Sequence, residues 1–225
     1  GDALFAGHDI TPEPLADQYW MASGRAGFEG DAAAHFYLPE RYTDPFGNLT
    51  TLKYDKRDLF VQSSTDAMGN TTGIAMEPVP NNSLTERPRF DYRVLAPIEM
   101  VDANGNHSEA VSDIRGLVVA AAIKGKKVNG HWEGDHLDGW TFDDSNPPET
   151  AVDGFCLKQD YDAAQEHQAR AWLGTATTRF VYHFGEGRDN NGIFTGWADR
   201  PAGACGIVRE RHVTQVALDP LRENP

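Results

Sequence analysis

A turn phrase, Asp-x-x-Gly-Asn, occurs three times between residues 42 and 119 and decides the fold: Asp44-Pro45-Phe46-Gly47-Asn48, Asp66-Ala67-Met68-Gly69-Asn70 and Asp102-Ala103-Asn104-Gly105-Asn106. A fourth, eroded copy reads Asp113-Ile114-Arg115-Gly116. Each copy is followed by a strand-like run, such as Leu49-Thr50-Thr51-Leu52-Lys53-Tyr54. A turn followed by a strand, repeated in series, predicts hairpins that lie side by side.

The chemistry of the phrase is that of a tight turn. Asp accepts hydrogen bonds from its own backbone two residues on, and Gly and Asn adopt positive φ at low cost. The alternation in 49–54 is imperfect, so it does not fix which face of the strand is buried. Residues 102–106 superficially resemble a calcium loop, but they lack the distal bidentate Glu of a helix–loop–helix site. We therefore interpret the Asp residues as turn residues.

The composition of the chain argues against several kinds of partner. The chain has 225 residues, a net charge of −14 and a pI of about 4.9. Nucleic acids and anionic membrane surfaces both require clustered Lys and Arg, so neither is an expected partner. No apolar run approaches the ~18 residues of a membrane-spanning helix. The first residues show no signal-peptide pattern, although a removed signal would leave the same start.

We predict a mainly β fold, an antiparallel hairpin sheet in a single domain over residues 1–225. Residues 1–33 are predicted to be an N-terminal extension, and 34–38 a strand that enters the repeats. Proline and asparagine in 76–89, and glycine and charged residues in 124–160, predict two loop insertions. A Gly/Asp/Asn-rich loop over 185–206 precedes a last strand at 206–213.

One principal α-helix is predicted at about 160–173. Asp160 or Asp162 can cap its start, several alanines favour it, and Gly174 lies just past its end. The run Thr177–Phe184 is rich in β-branched and aromatic residues and predicts the strand that follows.

The two cysteines, Cys156 and Cys205, have no metal-ligand spacing. Two free thiols are the preferred interpretation, and a single disulfide is the alternative.

The strongest chemical cluster consists of His131, Glu133, Asp135, His136 and Asp138. In a loop all five side chains could converge, and imidazole with carboxylate suits a divalent transition metal that activates water. The alternative is a solvated polar loop marked by its glycines. No nucleotide-binding glycine motif occurs, so no cofactor other than such a metal is expected.

Several ordered phrases resemble one protein family. They are Arg41-Tyr42-Thr43-Asp44-Pro45-Phe46-Gly47-Asn48, Asp91-Tyr92-Arg93-Val94-Leu95-Ala96-Pro97, Leu173-Gly174-Thr175-Ala176-Thr177-Thr178-Arg179-Phe180-Val181-Tyr182 and Val208-Arg209-Glu210-Arg211-His212-Val213, together with the Asp102 turn. This set resembles the RHS/YD-repeat portion of the B component of insecticidal toxin complexes, in a short and divergent form. His183 stands where the family usually has Asp after Tyr.

The resemblance implies a structural role. Family members wind β-strands into a shell that encloses a toxic polypeptide, so the expected partners are other shell segments, a toxin polypeptide or further copies of this chain. It also implies a secreted protein. At 225 residues the chain is too short to close such a shell.

Two function classes therefore remain at this point: a structural or interaction module of a toxin-associated scaffold, and a small secreted hydrolase or metal-dependent enzyme on a repurposed fold. The sequence leaves open whether the chain is an enzyme at all. A shell segment predicts exposed sheet edges and association, whereas an enzyme predicts a pocket that gathers polar groups.

Overall fold

The computed structural model describes residues 23–80, 82–140, 163–189, 191, 193–197 and 202–213. Its main element is a ten-stranded antiparallel sheet, which confirms the predicted mainly β class. The strands, in their order across the sheet, are β1 (Arg25–Gly27), β2 (Arg41–Thr43), β3 (Leu49–Tyr54), β4 (Val61–Thr65), β5 (Thr71–Ile74), β10 (Glu99–Val101), β11 (His107–Ser112), β12 (Val118–Gly125), β15 (Thr178–His183) and β18 (Gly203–Val208).

Four two-stranded hairpins accompany this sheet. They pair β6 (Met76–Val79) with β7 (Asn82–Pro88), β8 (Phe90–Asp91) with β9 (Ala96–Pro97), β13 (Lys127–Val128) with β14 (His131–Trp132), and β16 (Glu186–Arg188) with β17 (Phe194–Trp197). A short 3₁₀ helix covers Ala32–His35, and the α-helix α1 covers Ala163–Leu173.

The three repeated phrases form the turns β2–β3, β4–β5 and β10–β11, as predicted. In the first, Oδ1 of Asp44 accepts the N–H groups of Phe46 and Asn48, both at 2.8 Å, and Oδ2 accepts the Asn48 side-chain amide at 2.7 Å. Asp66 and Asp102 make the same three bonds in their turns. The glycine of each phrase has positive φ, which is the conformation that the phrase predicts.

These three turns lie along one end of the sheet, which we call the turn rim (residues 44–48, 66–70 and 102–106). The strands β2, β4 and β10 all run towards this rim. Each is separated from the next by one antiparallel strand, so the three share one direction. The β3–β4 and β11–β12 connections lie at the opposite end, where Asp55 and Asp113 accept backbone N–H groups in the same i+2 and i+4 pattern.

A second layer covers the C-terminal strands of the sheet. The helix α1 and residues 131–140, which we call the cover segment, pack on one face of β11, β12, β15 and β18. The buried cluster there consists of Ala120, Ala122, Leu137, Leu173 and Ala176, with Val111, Trp140 and Ile207 against it. By contrast, no apolar side chain described in β1–β4 is buried.

The principal helix is confirmed by α1, while the start of its predicted range, 160–162, lies outside the described residues. The predicted strand at 34–38 is wrong, since Ala32–His35 forms a 3₁₀ helix. Phe36 and Tyr37 then take positive φ, so the chain turns back to β2 instead of extending. Within the predicted N-terminal extension 1–33, Arg25–Gly27 joins the sheet as its edge strand β1.

The predicted insertions contain strands. Residues 76–89, expected to be a loop, form the β6–β7 hairpin outside the main sheet. Residues 124–140 of the second insertion contain the end of β12 and the β13–β14 hairpin, and 141–160 lie outside the described residues. The expected loop at 185–206 contains the β16–β17 hairpin, and the last strand occupies 203–208 instead of 206–213.

The preference for two free thiols is wrong, because Cys205 on β18 is disulfide-bonded. Cys156 lies outside the described residues. In the part of the chain that the structure describes, no helix has the length and apolar character needed to span a membrane.

Candidate functional site

The predicted site lies in the cover segment, which docks along β12. The N–H groups of Gly134 and Asp135 donate to the carbonyl oxygens of Lys124 and Ile123, at 2.8 and 2.9 Å. Gly134 is required here, because a Cβ at that position would collide with the backbone carbonyl of Ile123. The sheet therefore fixes the backbone that carries the five predicted residues.

Asp135 is fully buried and holds three segments together. Its carboxylate accepts the Thr177 hydroxyl at 2.7 Å and the Val213 N–H at 2.7 Å, and it lies 3.2 Å from Nδ1 of His212. Arg209 lies 3.8 Å away. Since its oxygens already have these donors, Asp135 acts as an anchor for the chain that follows β18.

The other predicted residues do not join Asp135. His131 on β14 and Glu133 are both exposed, and Nδ1 of His136 lies 3.6 Å from the exposed carboxylate of Asp138. Across the described residues, no three His, Cys, Asp or Glu side chains are grouped so that they could hold a metal ion. The structure thus brings together His136 with Asp138, and places Asp135 with His212, a residue that the prediction did not include.

Beneath the cover segment lies a cluster of charges, which we call the ionic cluster: the buried Glu99, Glu109 and Lys124 with the half-buried Arg89 and His107. Glu99 and Glu109 are direct cross-strand partners on β10 and β11, and both are buried. Two like charges in that position repel each other unless cations neutralise them.

Lys124 and Arg89 supply those cations. Nζ of Lys124 lies 2.8 Å from Glu109 and 3.4 Å from Glu99, and Arg89 contacts both carboxylates. Nδ1 of His107 lies 2.6 Å from Oε1 of Glu99. The Lys124 ammonium also lies 4.0 Å from the ring centroid of Trp132, so its burial is compensated on several sides.

The ionic cluster also attaches the cover segment to the sheet. Oε2 of Glu109 accepts the backbone N–H of Leu137 at 2.8 Å. The Trp132 ring, which belongs to the cover segment, contacts the Lys124 ammonium. The cluster neutralises the charges of Glu99 and Glu109 and holds the backbone of the cover segment at Leu137. The oxygens of these two carboxylates already have donors.

Sequence reasoning missed this cluster, although a signal for it exists. Ala120, Ala122 and Lys124 recur at every second residue, so they share one face of β12. The same spacing places Glu109 and Val111 on one face of β11. A charge in register with alanine and valine on adjacent strands indicates a buried ion pair, whereas Lys124 was predicted to begin a loop insertion.

Comparisons with known proteins found structures of toxin complexes that are similar to this chain. No protein-family model matches the sequence, and no curated protein matches it. The crystal structure of TcdB2-TccC3 is similar over 72% of this chain and 6% of that chain, with 19% identity and a TM-score of 0.47.

Two further structures give similar values. TcdB2-TccC3 without its hypervariable C-terminal region has 21% identity, a TM-score of 0.47 and coverage of 72% of this chain and 6% of that one. A Photorhabdus luminescens Tc holotoxin pore has 21% identity, a TM-score of 0.46 and coverage of 71% and 6%. The chain therefore spans a small fraction of each similar protein.

Proposed function

We propose that this chain is a structural or interaction module that associates through its sheet, either with a protein partner or with copies of itself, in a toxin-associated scaffold or encapsulating shell. The observation that supports this most is the open sheet. Within the described residues, β1 and β18 each pair with one strand only, so each presents an unpaired backbone edge. Such edges are templates for strand addition.

Two further observations support the proposal. The strands β1–β4 lack a buried apolar residue among those described, and Leu49 and Val61 are exposed on them. A secreted location accords with the disulfide at Cys205, because disulfides persist in oxidising compartments.

The test is self-association, measured by light scattering during size-exclusion chromatography over a series of protein concentrations. We expect the wild type to associate as concentration rises, and Val208→Lys, on the edge strand β18, to reduce this association. The matched control is Ile114→Lys in the β11–β12 turn, since Ile114 is 73% exposed and Val208 is 65% exposed. A wild type that stays monomeric throughout and binds no toxin-complex component would contradict the proposal.

The Asp135–His212 contact favours a second candidate, a small secreted hydrolase or metal-dependent enzyme. A buried carboxylate beside a half-exposed imidazole can orient a general base. Metal analysis of the purified protein beside His131→Ala and His136→Ala, and hydrolase assays beside His212→Ala, test this candidate. Stoichiometric metal that both variants lose, or a turnover that His212→Ala abolishes, would favour the enzyme over the scaffold.

A further inference from the structure

A cavity of about 580 Å³ lies between the β3–β4 turn and the β6–β7 hairpin. Its volume falls in the range of sites that hold small molecules or peptide side chains, roughly 300–1,000 Å³. It is separate from the cover segment and from the five residues considered as a metal site. We call it the Arg57 cavity, after the cation on its wall.

One wall of the Arg57 cavity carries Phe90 and Tyr92, which pack against Phe60. The rings of Phe60 and Phe90 stack with their centroids 3.6 Å apart, and the centroids of Tyr92 and Phe90 are 5.1 Å apart in an edge-to-face arrangement. The Tyr92 hydroxyl donates to the buried carboxylate of Asp55 at 3.0 Å. Because this wall is already ordered, a ligand would not have to order it on binding.

Most charges around the cavity already have partners. Glu77 pairs with Arg87 at 2.7 Å, and Asp91 pairs with Arg93 at 2.6 Å. Asp55 accepts backbone N–H groups besides the Tyr92 hydroxyl. These acidic groups are therefore neutralised or internally bonded, and they do not cancel additional cations.

Two cations at the cavity differ from the rest. Arg57 and Lys56 are exposed, and neither forms an ion pair with any carboxylate of the described chain. The guanidinium carbon of Arg57 lies 5.5 Å from the ring centroid of Tyr92. Contact with the Tyr92 ring fixes the position of the Arg57 guanidinium. The five N–H donors of the guanidinium can still bind a carboxylate in bidentate geometry.

We propose that the Arg57 cavity binds an acidic peptide segment of a partner protein, with the peptide carboxylates paired to Arg57 and Lys56. This rests on the proposed function, for which it names the chemistry of the partner. Apolar parts of the peptide contact Tyr92 and Phe90. The overall charge of −14 opposes acidic ligands at long range, but salt screens that repulsion beyond about 8 Å.

The test is fluorescence anisotropy with a fluorescein-labelled hexaglutamate peptide and a matched hexalysine peptide on the intact chain. We expect hexaglutamate to bind more tightly, and Arg57→Ala to weaken that binding by roughly tenfold or more, as for the loss of a charged hydrogen bond. The control is Arg211→Ala, an exposed arginine after β18 and outside the cavity, which should leave the affinity unchanged. Circular dichroism establishes that both variants are folded.

A variant with the opposite sign makes the test sharper. Glu86 lines the cavity and is exposed, so Glu86→Gln removes a repulsive charge and should tighten hexaglutamate binding. Equal effects of Arg57→Ala and Arg211→Ala, or equal affinity for the two peptides, would overturn the proposal. Such results leave the association measured by light scattering intact, so failure of the cavity is distinguishable from failure of the scaffold function.

Discussion

One carboxylate closes each of the three turns at the turn rim. The hydrogen bond from the Asn48 side chain lowers the pKa of Asp44, and backbone N–H groups of the turn add to this effect. Asn70 and Asn106 lower the pKa values of Asp66 and Asp102 in the same way. The ionised form of each Asp is thus preferred in the folded state.

This preference predicts an acid-sensitive contribution to stability. A carboxyl whose folded pKa is lowered stabilises the fold above its unfolded pKa of about 3.9, and the contribution is lost as the pH falls through the folded pKa. We expect the triple variant Asp44→Asn, Asp66→Asn, Asp102→Asn to melt at a lower temperature than wild type at pH 6. Its melting temperature should fall less steeply from pH 4 to pH 2.

Thermal unfolding followed by circular dichroism measures both effects. Glu210→Gln is the control, because Glu210 is exposed and lies outside the turns. Parallel pH curves for the triple variant and wild type would show that these carboxylates do not hold the turns in their ionised form.

Some of the Asp-based turns could be predicted from the sequence and others could not. The phrase Asp-x-x-Gly-Asn identified the turns at Asp44, Asp66 and Asp102, but Asp55 and Asp189 use the same bonds without it. Oδ1 of Asp55 accepts the Leu59 N–H at 2.7 Å, and Asp58 takes positive φ where the phrase has glycine. Oδ1 of Asp189 accepts the N–H groups of Asn191 and Ile193 at 2.9 Å. Only Asp is shared by all these turns, and a single Asp is too common to predict one.

The pairing of β4 with β5 depends on one small residue. Gly73 lies opposite Ser63, and a Cβ at Gly73 would lie 2.6 Å from the Gln62 carbonyl oxygen and 2.8 Å from the Ser63 Cβ. We expect Gly73→Ala to lower the free energy of unfolding by about 1–3 kcal/mol, because the strands must move apart.

Urea denaturation measures this change, and Gly30→Ala is its control. A Cβ at Gly30 meets no atom within 4 Å, and its φ is not positive. Equal stability of the two variants would mean that β4 and β5 can separate at no cost.

The ionic cluster links β10, β11 and β12 and can be tested by removing its buried cation. Lys124 is only 2% exposed, so Lys124→Met leaves Glu99 and Glu109 facing each other with less compensation. Removal of one member of a buried ion pair costs about 3–5 kcal/mol, and we expect a loss of that size in urea denaturation. Lys53→Met on the exposed side of β3 is the control, expected within about 0.5 kcal/mol of wild type.

A second substitution separates charge from packing in this cluster. If charge causes the loss, adding Glu109→Gln to Lys124→Met should recover part of it, because one uncompensated carboxylate is removed. A double variant as unstable as the sum of the single variants would assign the loss to packing against Trp132.

Several features of the fold could not be predicted from the sequence. The β6–β7 and β16–β17 hairpins are rich in proline, glycine and asparagine, which local propensity assigns to loops, yet they pair outside the main sheet. At 34–38 the apolar run suggested a strand, but positive φ at Phe36 and Tyr37 turns the chain. Asp135 was selected for metal chemistry, and only the fold showed that Thr177 and Val213 occupy its oxygens. Tertiary contacts decided the two hairpins and the role of Asp135, whereas local backbone conformation decided residues 34–38.

Burial differs strongly between the two halves of the sheet. The buried apolar side chains on its strands belong to β5, β12 and β15, including Val119, Ala120 and Val181, and none described belongs to β1–β4. Backbone hydrogen bonds with little apolar cover open at low free energy. The molecule should therefore open in steps, with the N-terminal strands first.

Hydrogen–deuterium exchange of the wild type tests this order. We expect amides of β2 and β3 to exchange at least tenfold faster than those of β12 and β15, since about 1.4 kcal/mol of opening free energy corresponds to a factor of ten. Peptides from β11 serve as an internal reference, because β11 is covered by the same segment as β12. If a partner in the proposed scaffold covers the N-terminal strands, its addition should slow exchange in β2 and β3 selectively. Uniform exchange across all ten strands would instead describe a sheet that is complete without a partner, and would count against that proposal.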